Sequence, residues 1–381
     1  MAHQPPSDQL EEPGLDTLRR RTNAKWRKYP PDVVPVWVAD MDFPVAPAVR
    51  EVLARHSADG DLGYASAVDD DGYRQALVDW LSQHHDWTVP LDDVLTVVDV
   101  LQGMAAAVAV HTAPGDGIIL QTPAYPPMFR IIEEAGRRLL DNPLGADHHL
   151  DIEHLTRLAP DARAVLVCNP HNPTGRVFTA DELTGLVQVA TDHDLVIISD
   201  EIHADLVHGN NRHVPMATVP GARDRTITLT SASKSFAMPG LSCAAVIAPP
   251  PLLDGIANLP MGLLGHPSVI GLRAGEAAWT HGRGWLDAAR HRIADNLAHA
   301  SSRLEGAGLV APVPQSTYLQ WVDCRPLGWP DEPADRFLEQ ARVAFSPGPD
   351  FGAVGAGFVR LNVATSRPVL DLALDRALAI V

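Results

Sequence analysis

The sequence predicts an α/β fold in which helices flank a mostly parallel sheet. Helix-like and strand-like stretches alternate from about residue 47 onward, and the strand-like stretches are mostly apolar: DGIILQ, AVLVC, DLVIIS and TITLT, the last with threonines between its apolar residues. Uninterrupted apolar runs are typical of strands buried on both faces, as in parallel sheets covered by helices. A length of 381 residues exceeds the usual size of one domain, so we also expect a smaller α+β domain.

One strand-helix-strand unit, from Ala164 to Asp200, is marked clearly in the sequence. Thr179 and Glu182 have the spacing of a capping box, which fixes the start of the helix between the two strands. Apolar residues follow at helical spacing: Leu183, Leu186, Val187 and Ala190. We expect the crossover to be right-handed, as almost all such connections are.

The pattern of predicted secondary structure changes after the prolines at 249–251. Long helical stretches such as EAAWTHGRGWLDAARHRIADNLAHASSRLEGAG are followed by the short strand-like stretches STYLQWVD and FVRLNVA. We therefore place a large domain at residues 48–270 and form the small domain from both chain ends, residues 23–47 and 271–381. Residues 1–22 are polar and lack apolar periodicity, so we expect a mobile N-terminal arm there.

Composition excludes several classes of partner. The net charge of −17 disfavours nucleic acid, because phosphate neutralisation needs clustered Lys and Arg. No apolar run reaches the roughly 18 residues of a membrane span, and the first residues do not resemble a secretory signal. The cysteines, Cys168, Cys243 and Cys324, are odd in number and far apart, which favours a reducing compartment. We expect a cytoplasmic protein with small-molecule partners.

An unusual polar or aromatic residue follows each of four apolar runs. Tyr125 follows DGIILQ, Asn172 follows AVLVC, Asp200 ends DLVIIS, and Lys234 follows TITLT. Lys234 is one of only three lysines in the chain. Because ligands of open parallel sheets bind outside the carboxyl ends of the strands, these four side chains meet in one cleft if their strands are neighbours.

This set of side chains suits pyridoxal phosphate. A buried lysine amine with a lowered pKa can form a Schiff base with an aldehyde, and pyridoxal phosphate is the common aldehyde cofactor. Asp200 can keep the pyridine nitrogen protonated, Asn172 can donate to the phenolic oxygen, and the ring of Tyr125 can stack on the cofactor. For the phosphate, the helix after VVDVLQG offers amides, and two serines offer hydroxyls: Ser231 and Ser233.

Four motifs together resemble the aspartate-aminotransferase superfamily of fold-type I pyridoxal-phosphate enzymes: NPHNPTG, SDEIH, SASKSFAMPG and FVRLNVA. Within that superfamily the sequence is most similar to the MalY/PatB-type cystathionine β-lyases, through RTNAKW, VWVADMDF, DEIHADLV and HGRGWLDAARHRIADN. The resemblance covers roughly residues 20–375. It implies a seven-stranded sheet in the large domain and pyridoxal 5'-phosphate as cofactor.

The resemblance also implies a role for individual residues. Lys234 resembles the Schiff-base lysine that shuttles protons, and Asp200 the partner of the pyridine nitrogen. Asn172 and His203 resemble the donors to the phenolic oxygen, and Tyr125 resembles the stacking ring.

Further positions imply a substrate pocket and a second subunit. Arg360 resembles the arginine that clamps the substrate carboxylate, in a pocket that Ala39, Asn172 and Tyr125 also line. Tyr64 resembles the tyrosine that reaches the phosphate of the neighbouring subunit, which implies a homodimer with shared active sites. The phosphate-binding turn aligns with Val100, Leu101 and Gln102.

Two positions depart from the pattern of the superfamily. Ser242 stands where most aminotransferases have an arginine on the phosphate, and the β-lyases also lack that arginine. Asp99 lies in the phosphate-binding turn, where an acidic side chain is unexpected. We expect either that its carboxylate points away from the phosphate or that the local fold differs.

The function predicted is that of a carbon-sulfur β-lyase acting on cystathionine or on an S-conjugated cysteine. Three alternatives remain: an aminotransferase, a decarboxylating or oxidative deaminase of S-conjugated cysteine, and an effector-binding protein without turnover. A metal site is not expected, because His203, His208 and His213 lack the spacing of ligands on one helix face. The GAVGAG segment at 352–357 lacks the order of a dinucleotide loop, and we interpret it as a turn.

Overall fold

The protein folds around three sheets. The structure, a computed structural model, describes residues 10–381. In that range the strands are β1 (Val34–Pro35), β2 (Val94–Val97), β3 (Gly117–Thr122), β4 (Arg138–Pro143), β5 (Ala162–Cys168), β6 (Val196–Asp200), β7 (Thr226–Thr230), β8 (Ala244–Ile247), β9 (Leu319–Asp323), β10 (Val343–Ala344), β11 (Ser346–Pro347) and β12 (Phe358–Asn362).

The α-helices cover the sheets and connect their strands. They are α1 (Leu15–Arg19), α2 (Ala24–Arg27), α3 (Pro47–Asp59), α4 (Ala67–His85), α5 (Val100–His111), α6 (Pro126–Glu134), α7 (Ile152–Leu158), α8 (Ala180–Asp192), α9 (Pro250–Ala257), α10 (Met261–Leu264), α11 (Val269–His281), α12 (Arg283–Glu305), α13 (Pro333–Arg336) and α14 (Arg367–Leu378).

The largest sheet has seven strands in the order β2-β8-β7-β6-β5-β3-β4. Strand β8 runs antiparallel to both of its neighbours, and all other pairs are parallel. The predicted fold class, a mostly parallel seven-stranded sheet flanked by helices, is confirmed. The predicted helix between β5 and β6 is α8, and both halves of its Thr179–Glu182 capping box form.

Helices cover this sheet on both faces. Residues that alternate along β5 belong to two different apolar clusters, with Leu166 in one and Val167 in the other. The first cluster takes in α5, α6 and α9, for example through Met104, and the second takes in α7 and α8 through Leu155 and Leu183. Burial on both faces explains why these strands read as uninterrupted apolar runs.

The two ends of the chain meet beside the two smaller sheets. Val34 of β1 pairs with Val343 of β10, and β12 lies between β11 and β9 in an antiparallel sheet of three strands. Helix α11 crosses residue 270, where we place the domain boundary, and packs against α3 and α4. The domain boundaries stay a prediction.

The structure differs from the expected N-terminal arm over residues 10–22; residues 1–9 lie outside the described part of the chain. Leu18 of α1 is fully buried in the apolar core, and Arg21 donates a 2.8 Å hydrogen bond to the carbonyl of Asp42. Leu10 and Leu15 pack, partly buried, against the same core. Three leucines among polar residues are too few to give a clear apolar periodicity in the sequence. Across residues 10–381, no helix is long and apolar enough to cross a membrane.

Candidate active site

The four strands predicted to carry the site are neighbours in the large sheet, in the order β7-β6-β5-β3. Their carboxyl ends therefore bring Lys234, Asp200, Asn172 and Tyr125 to one edge of the sheet. The expectation that these strands lie side by side is confirmed.

Lys234 is half-buried, and its amine is hydrogen-bonded to the backbone. Its Nζ donates a 2.8 Å hydrogen bond to the carbonyl of Ala39, which also accepts a 3.2 Å hydrogen bond from the hydroxyl of Tyr318. Burial lowers the pKa of Lys234 to about 8, an effect that Asp40 and Asp200 oppose and Arg360 reinforces. At pH 7 roughly a tenth of this amine is therefore uncharged, far more than for an ordinary lysine, and the uncharged form is the one that acts as a nucleophile or a general base.

Asp200, the last residue of β6, is buried. Its Oδ1 accepts a 3.1 Å hydrogen bond from the amide of Ile202. Burial raises the pKa of Asp200 to about 6, while the positive charge of Lys234 acts in the opposite direction. The carboxylate would thus gain stability from a cationic partner, and the protonated ring nitrogen of pyridoxal phosphate is such a partner.

His203 is a buried, uncharged donor candidate. Burial lowers the pKa of His203 to about 3, with Lys234 and Arg360 adding to the effect. Its Nδ1 is buried and has no hydrogen-bond partner among residues 10–381. A buried polar atom without a partner indicates a missing ligand, which agrees with the predicted contact to the cofactor.

Arg360 of β12 is buried and held by three acceptors. Its Nη1 donates to Oδ1 of Asn172 at 2.9 Å, and its Nη2 donates to the carbonyl of Trp37 at 3.0 Å and to the hydroxyl of Ser346 at 3.2 Å. The guanidinium lies over the ring of Phe351, 4.7 Å from its centroid. This fixed, planar cation suits a carboxylate ligand, as predicted for this position.

Tyr125 and Tyr64 lie in very different surroundings. Tyr125 precedes α6 and is half-buried, and burial raises the pKa of its hydroxyl. Tyr64 is fully exposed, in a segment that also exposes Leu62. Within one chain the side chain of Tyr64 makes no buried contact, so it is accessible to a second molecule.

The predicted phosphate-binding turn is the start of α5. Asp99 is the N-cap of this helix, and its carboxylate accepts a 2.7 Å hydrogen bond from the amide of Gln102. This answers the question raised by its acidic side chain, because the carboxylate turns back onto its own helix. The Gln102 amide is thereby engaged, whereas the amides of Val100 and Leu101 open the helix, where anions commonly bind.

The two serines near Lys234, Ser231 and Ser233, differ in whether the hydroxyl proton is already engaged in a hydrogen bond. The buried Ser231 hydroxyl donates to the carbonyl of Cys243 at 2.7 Å and accepts a 3.1 Å hydrogen bond from the amide of Ser233. Its single proton is thus engaged, and the predicted phosphate contact depends more on Ser233. Ser242 is exposed, with a left-handed φ of 49°, after a short 3₁₀ helix.

Sequence reasoning missed several residues that contact the site. The hydroxyl of Tyr318 donates to the same carbonyl as Lys234, and the hydroxyl of Ser346 accepts a hydrogen bond from Arg360. The negative charge of Asp40 raises the pKa of Lys234. Lys25 is buried and donates a 2.9 Å hydrogen bond to the carbonyl of Asp40, next to the Ala39 carbonyl that Lys234 contacts. The scarcity of lysine could have singled out Lys25, whereas the other three residues carried no such signal.

The residues present fit pyridoxal phosphate. A lysine amine of lowered pKa, a buried carboxyl group, an unpartnered buried imidazole nitrogen and a helix start follow strands of the large sheet at one edge. Within residues 10–381, no cluster of three or more His, Cys, Asp or Glu side chains is arranged to hold a metal ion.

Comparisons with known proteins agree with this site. Cystathionine beta-lyase PatB of Bacillus subtilis (strain 168) is 34% identical, with 91% of this chain and 92% of that protein aligned. The cystathionine beta-lyase of Corynebacterium glutamicum is 32% identical over 96% of this chain and 98% of that protein. The crystal structure of cystalysin from Treponema denticola, which contains a pyridoxal 5'-phosphate cofactor, matches with a TM-score of 0.89 at 29% identity, covering 95% and 96% of the two chains.

These relatives confirm the resemblance read from the motifs. The family model for aminotransferase class I and II matches residues 31–376, which is most of the chain. The chain therefore belongs to the class I and II aminotransferase family.

Proposed function

We propose that this chain is a pyridoxal-phosphate-dependent carbon-sulfur β-lyase that cleaves cystathionine or another S-substituted cysteine to a thiol, pyruvate and ammonia. The observation that carries the proposal is the convergence of Lys234 and buried Asp200 at one edge of the large sheet, with Lys234 and Arg360 hydrogen-bonded to the carbonyls of Ala39 and Trp37. Relatives named cystathionine beta-lyase at 32–34% identity support the lyase over the aminotransferase. One water is consumed in the overall reaction.

Lys234, Asp200, Asn172 and His203 would hold the cofactor. When bound, pyridoxal phosphate supplies a ring that accepts electrons from the substrate α-carbon. The Asp200 carboxylate would keep a proton on the ring nitrogen. The Asn172 amide, whose oxygen faces Arg360, has its nitrogen free to donate to the phenolic oxygen.

Arg360 and Lys234 would act on the substrate. The guanidinium of Arg360 would bind the α-carboxylate through parallel hydrogen bonds and so orient the α-carbon. The uncharged amine of Lys234 would remove the α-proton as general base. The ammonium so formed would then be available as the acid for the leaving thiolate.

The active form is proposed to be a homodimer with shared sites. Support comes from a group of large apolar side chains that are exposed on one chain: Leu62, Tyr64, Val68, Met261 and Leu263. Several of them line one surface cavity of about 780 Å³ between residues 62–70 and 261–272. Apolar surface of this kind is typical of a subunit interface.

A substrate panel tests the activity. The purified protein is supplied with pyridoxal phosphate and with cystathionine or an S-alkylcysteine, and thiol, pyruvate and carbon dioxide are measured together. We expect thiol and pyruvate without an added keto acid, in wild type and in the control Lys28→Ala, and neither product in Lys234→Ala. A requirement for a keto acid would indicate an aminotransferase, and release of carbon dioxide would indicate a decarboxylating enzyme.

A further inference from the structure

A buried ion pair lies behind the active site. Lys25 and Asp42 are each 1% exposed, and Nζ of Lys25 is 2.9 Å from Oδ2 of Asp42. The other oxygen of Asp42 accepts a 2.7 Å hydrogen bond from Nε1 of Trp26. Because removing two charges from water is costly, such a pair is weak evidence for stability and raises the question of what else it does.

The pair holds residues 37–40, a loop with two backbone carbonyls that accept hydrogen bonds from Lys234 and Arg360. Lys25 also donates a 2.9 Å hydrogen bond to the carbonyl of Asp40. From the other side, the side-chain amide of Asn362 donates to the carbonyls of Val38 at 2.7 Å and Asp40 at 2.8 Å. The peptide groups around residue 39 are therefore fixed from two directions.

Alternate carbonyls of this loop face the active site. The carbonyl of Trp37 accepts from Arg360 at 3.0 Å, and the carbonyl of Ala39 accepts from Lys234 at 2.8 Å. Residues 37–39 thus set the distance between the proposed carboxylate clamp and the proposed general base. A displacement of about 1 Å in such a pair can cost roughly 100-fold in rate.

We infer that the Lys25–Asp42 pair is a positioning element, which fixes the carbonyls of Trp37 and Ala39 and, through them, the side chains of Arg360 and Lys234. The inference deepens the proposed function, because it concerns the lysine proposed as base. Its test measures the Lys234 amine directly and needs no turnover, so it can fail while the lyase proposal holds.

The test replaces both partners of the pair. Lys25→Met/Asp42→Leu leaves the net charge unchanged. Lys25 and Asp42 act in opposite directions on the pKa of Asp40, and the charge of Asp40 raises the pKa of Lys234. All proteins compared therefore carry Asp40→Asn, so that a change at Lys234 reports geometry and not a changed charge on Asp40. Replacing both partners of a buried pair by apolar residues is often neutral for stability. The matched control is Arg50→Met/Glu11→Leu, which removes an exposed pair with a nitrogen-oxygen distance of 3.0 Å.

The readout is competitive acetylation of lysine amines as a function of pH. It is applied to the full-length chain after removal of pyridoxal phosphate, and the labelled peptides are mapped. The double variant has only Lys28 and Lys234 left, so the mapping is unambiguous and exposed Lys28 is an internal standard. Asp200 and Arg360, the other charged groups that act on Lys234, are unchanged.

We expect the pKa of Lys234 to fall by about 0.5 to 1 in the double variant, because the ammonium loses a fixed carbonyl acceptor. The control should leave it unchanged. A folded double variant, verified by thermal unfolding, in which the pKa of Lys234 is unchanged or raised would overturn the inference. If the double variant does not fold, Trp26→Phe decides, because it removes the 2.7 Å hydrogen bond that holds Asp42 and leaves both charges of the pair in place: we expect a smaller fall, and no fall overturns the inference.

Discussion

Arg360 donates a 2.9 Å hydrogen bond from Nη1 to Oδ1 of Asn172. The residue proposed to bind the substrate carboxylate is therefore in contact with the residue proposed to donate to the cofactor. The bond also fixes the orientation of the Asn172 amide, because its oxygen is turned toward the cation. A substrate bound by Arg360 would thus be aligned with the cofactor through a single buried side chain.

Replacing the guanidinium tests this alignment. Arg360→Lys should raise KM for an S-alkylcysteine by about 30- to 100-fold, because a lysine amine cannot make the parallel pair of hydrogen bonds to a carboxylate. Steady-state kinetics would measure the change. Binding of an S-alkylcysteamine, which lacks the carboxylate, should be the same in both proteins. An equal KM for the amino acid would contradict the role of Arg360.

Asp200 is expected to provide most of the electrostatic stabilisation. Asp200→Asn keeps the shape of the side chain but removes its negative charge, so kcat should fall by about 100-fold or more. Asp192→Asn, at an exposed position on α8, is the control and should be unaffected. Near-normal turnover of Asp200→Asn, with cofactor bound, would show that the carboxylate is not the partner of the ring nitrogen.

The pH dependence of kcat should report Lys234. The base must be deprotonated, so kcat should rise with pH and level off above the Lys234 pKa of about 8. The negative charge of Asp40 raises the pKa of Lys234, so Asp40→Asn should move the rising limb to lower pH. Asp181→Asn, exposed on α8, should not move it. A limb that shifts to higher pH in Asp40→Asn would refute the assignment.

Shared sites can be tested by mixing inactive variants. Tyr64→Ala and Lys234→Ala should each be inactive alone. After they are mixed under conditions that exchange subunits, half of the dimers are mixed, and each mixed dimer has one intact site. Activity should therefore return to about a quarter of the wild-type value. No recovery, with mixed dimers demonstrated by mass spectrometry, would argue against a Tyr64 that serves the neighbouring site.

The sequence predicts the large sheet well because its strands are buried on both faces. The apolar runs of β3, β5 and β6 and the TITLT stretch of β7 identify the strands, and the polar or aromatic residue at the end of each identifies the site. The acceptors of Lys234 and Arg360 could not be found in this way. Lys234 donates to the carbonyl of Ala39, and one of the three acceptors of Arg360 is the carbonyl of Trp37. Every residue has such a carbonyl, so the residue type gives no signal in the sequence.

Long-range partners are the other part that sequence reasoning misses. Lys25 and Tyr318 lie far from Lys234 in the chain, and only the packing of both chain ends beside the large sheet brings them to the site. Asp99 illustrates a different limit. Its residue type suggested a conflict with phosphate, whereas its backbone position made it a helix cap.

The central claim is that the Lys234 amine is the group that holds pyridoxal phosphate. Borohydride reduction of the loaded protein, followed by peptide mapping, tests it most directly, and the three lysines of the chain make the map simple. We predict a reduced pyridoxyl label on the peptide that contains Lys234 and none on Lys25 or Lys28. A label on either of those lysines, or an unlabelled Lys234 in protein that retains the cofactor, would contradict the account.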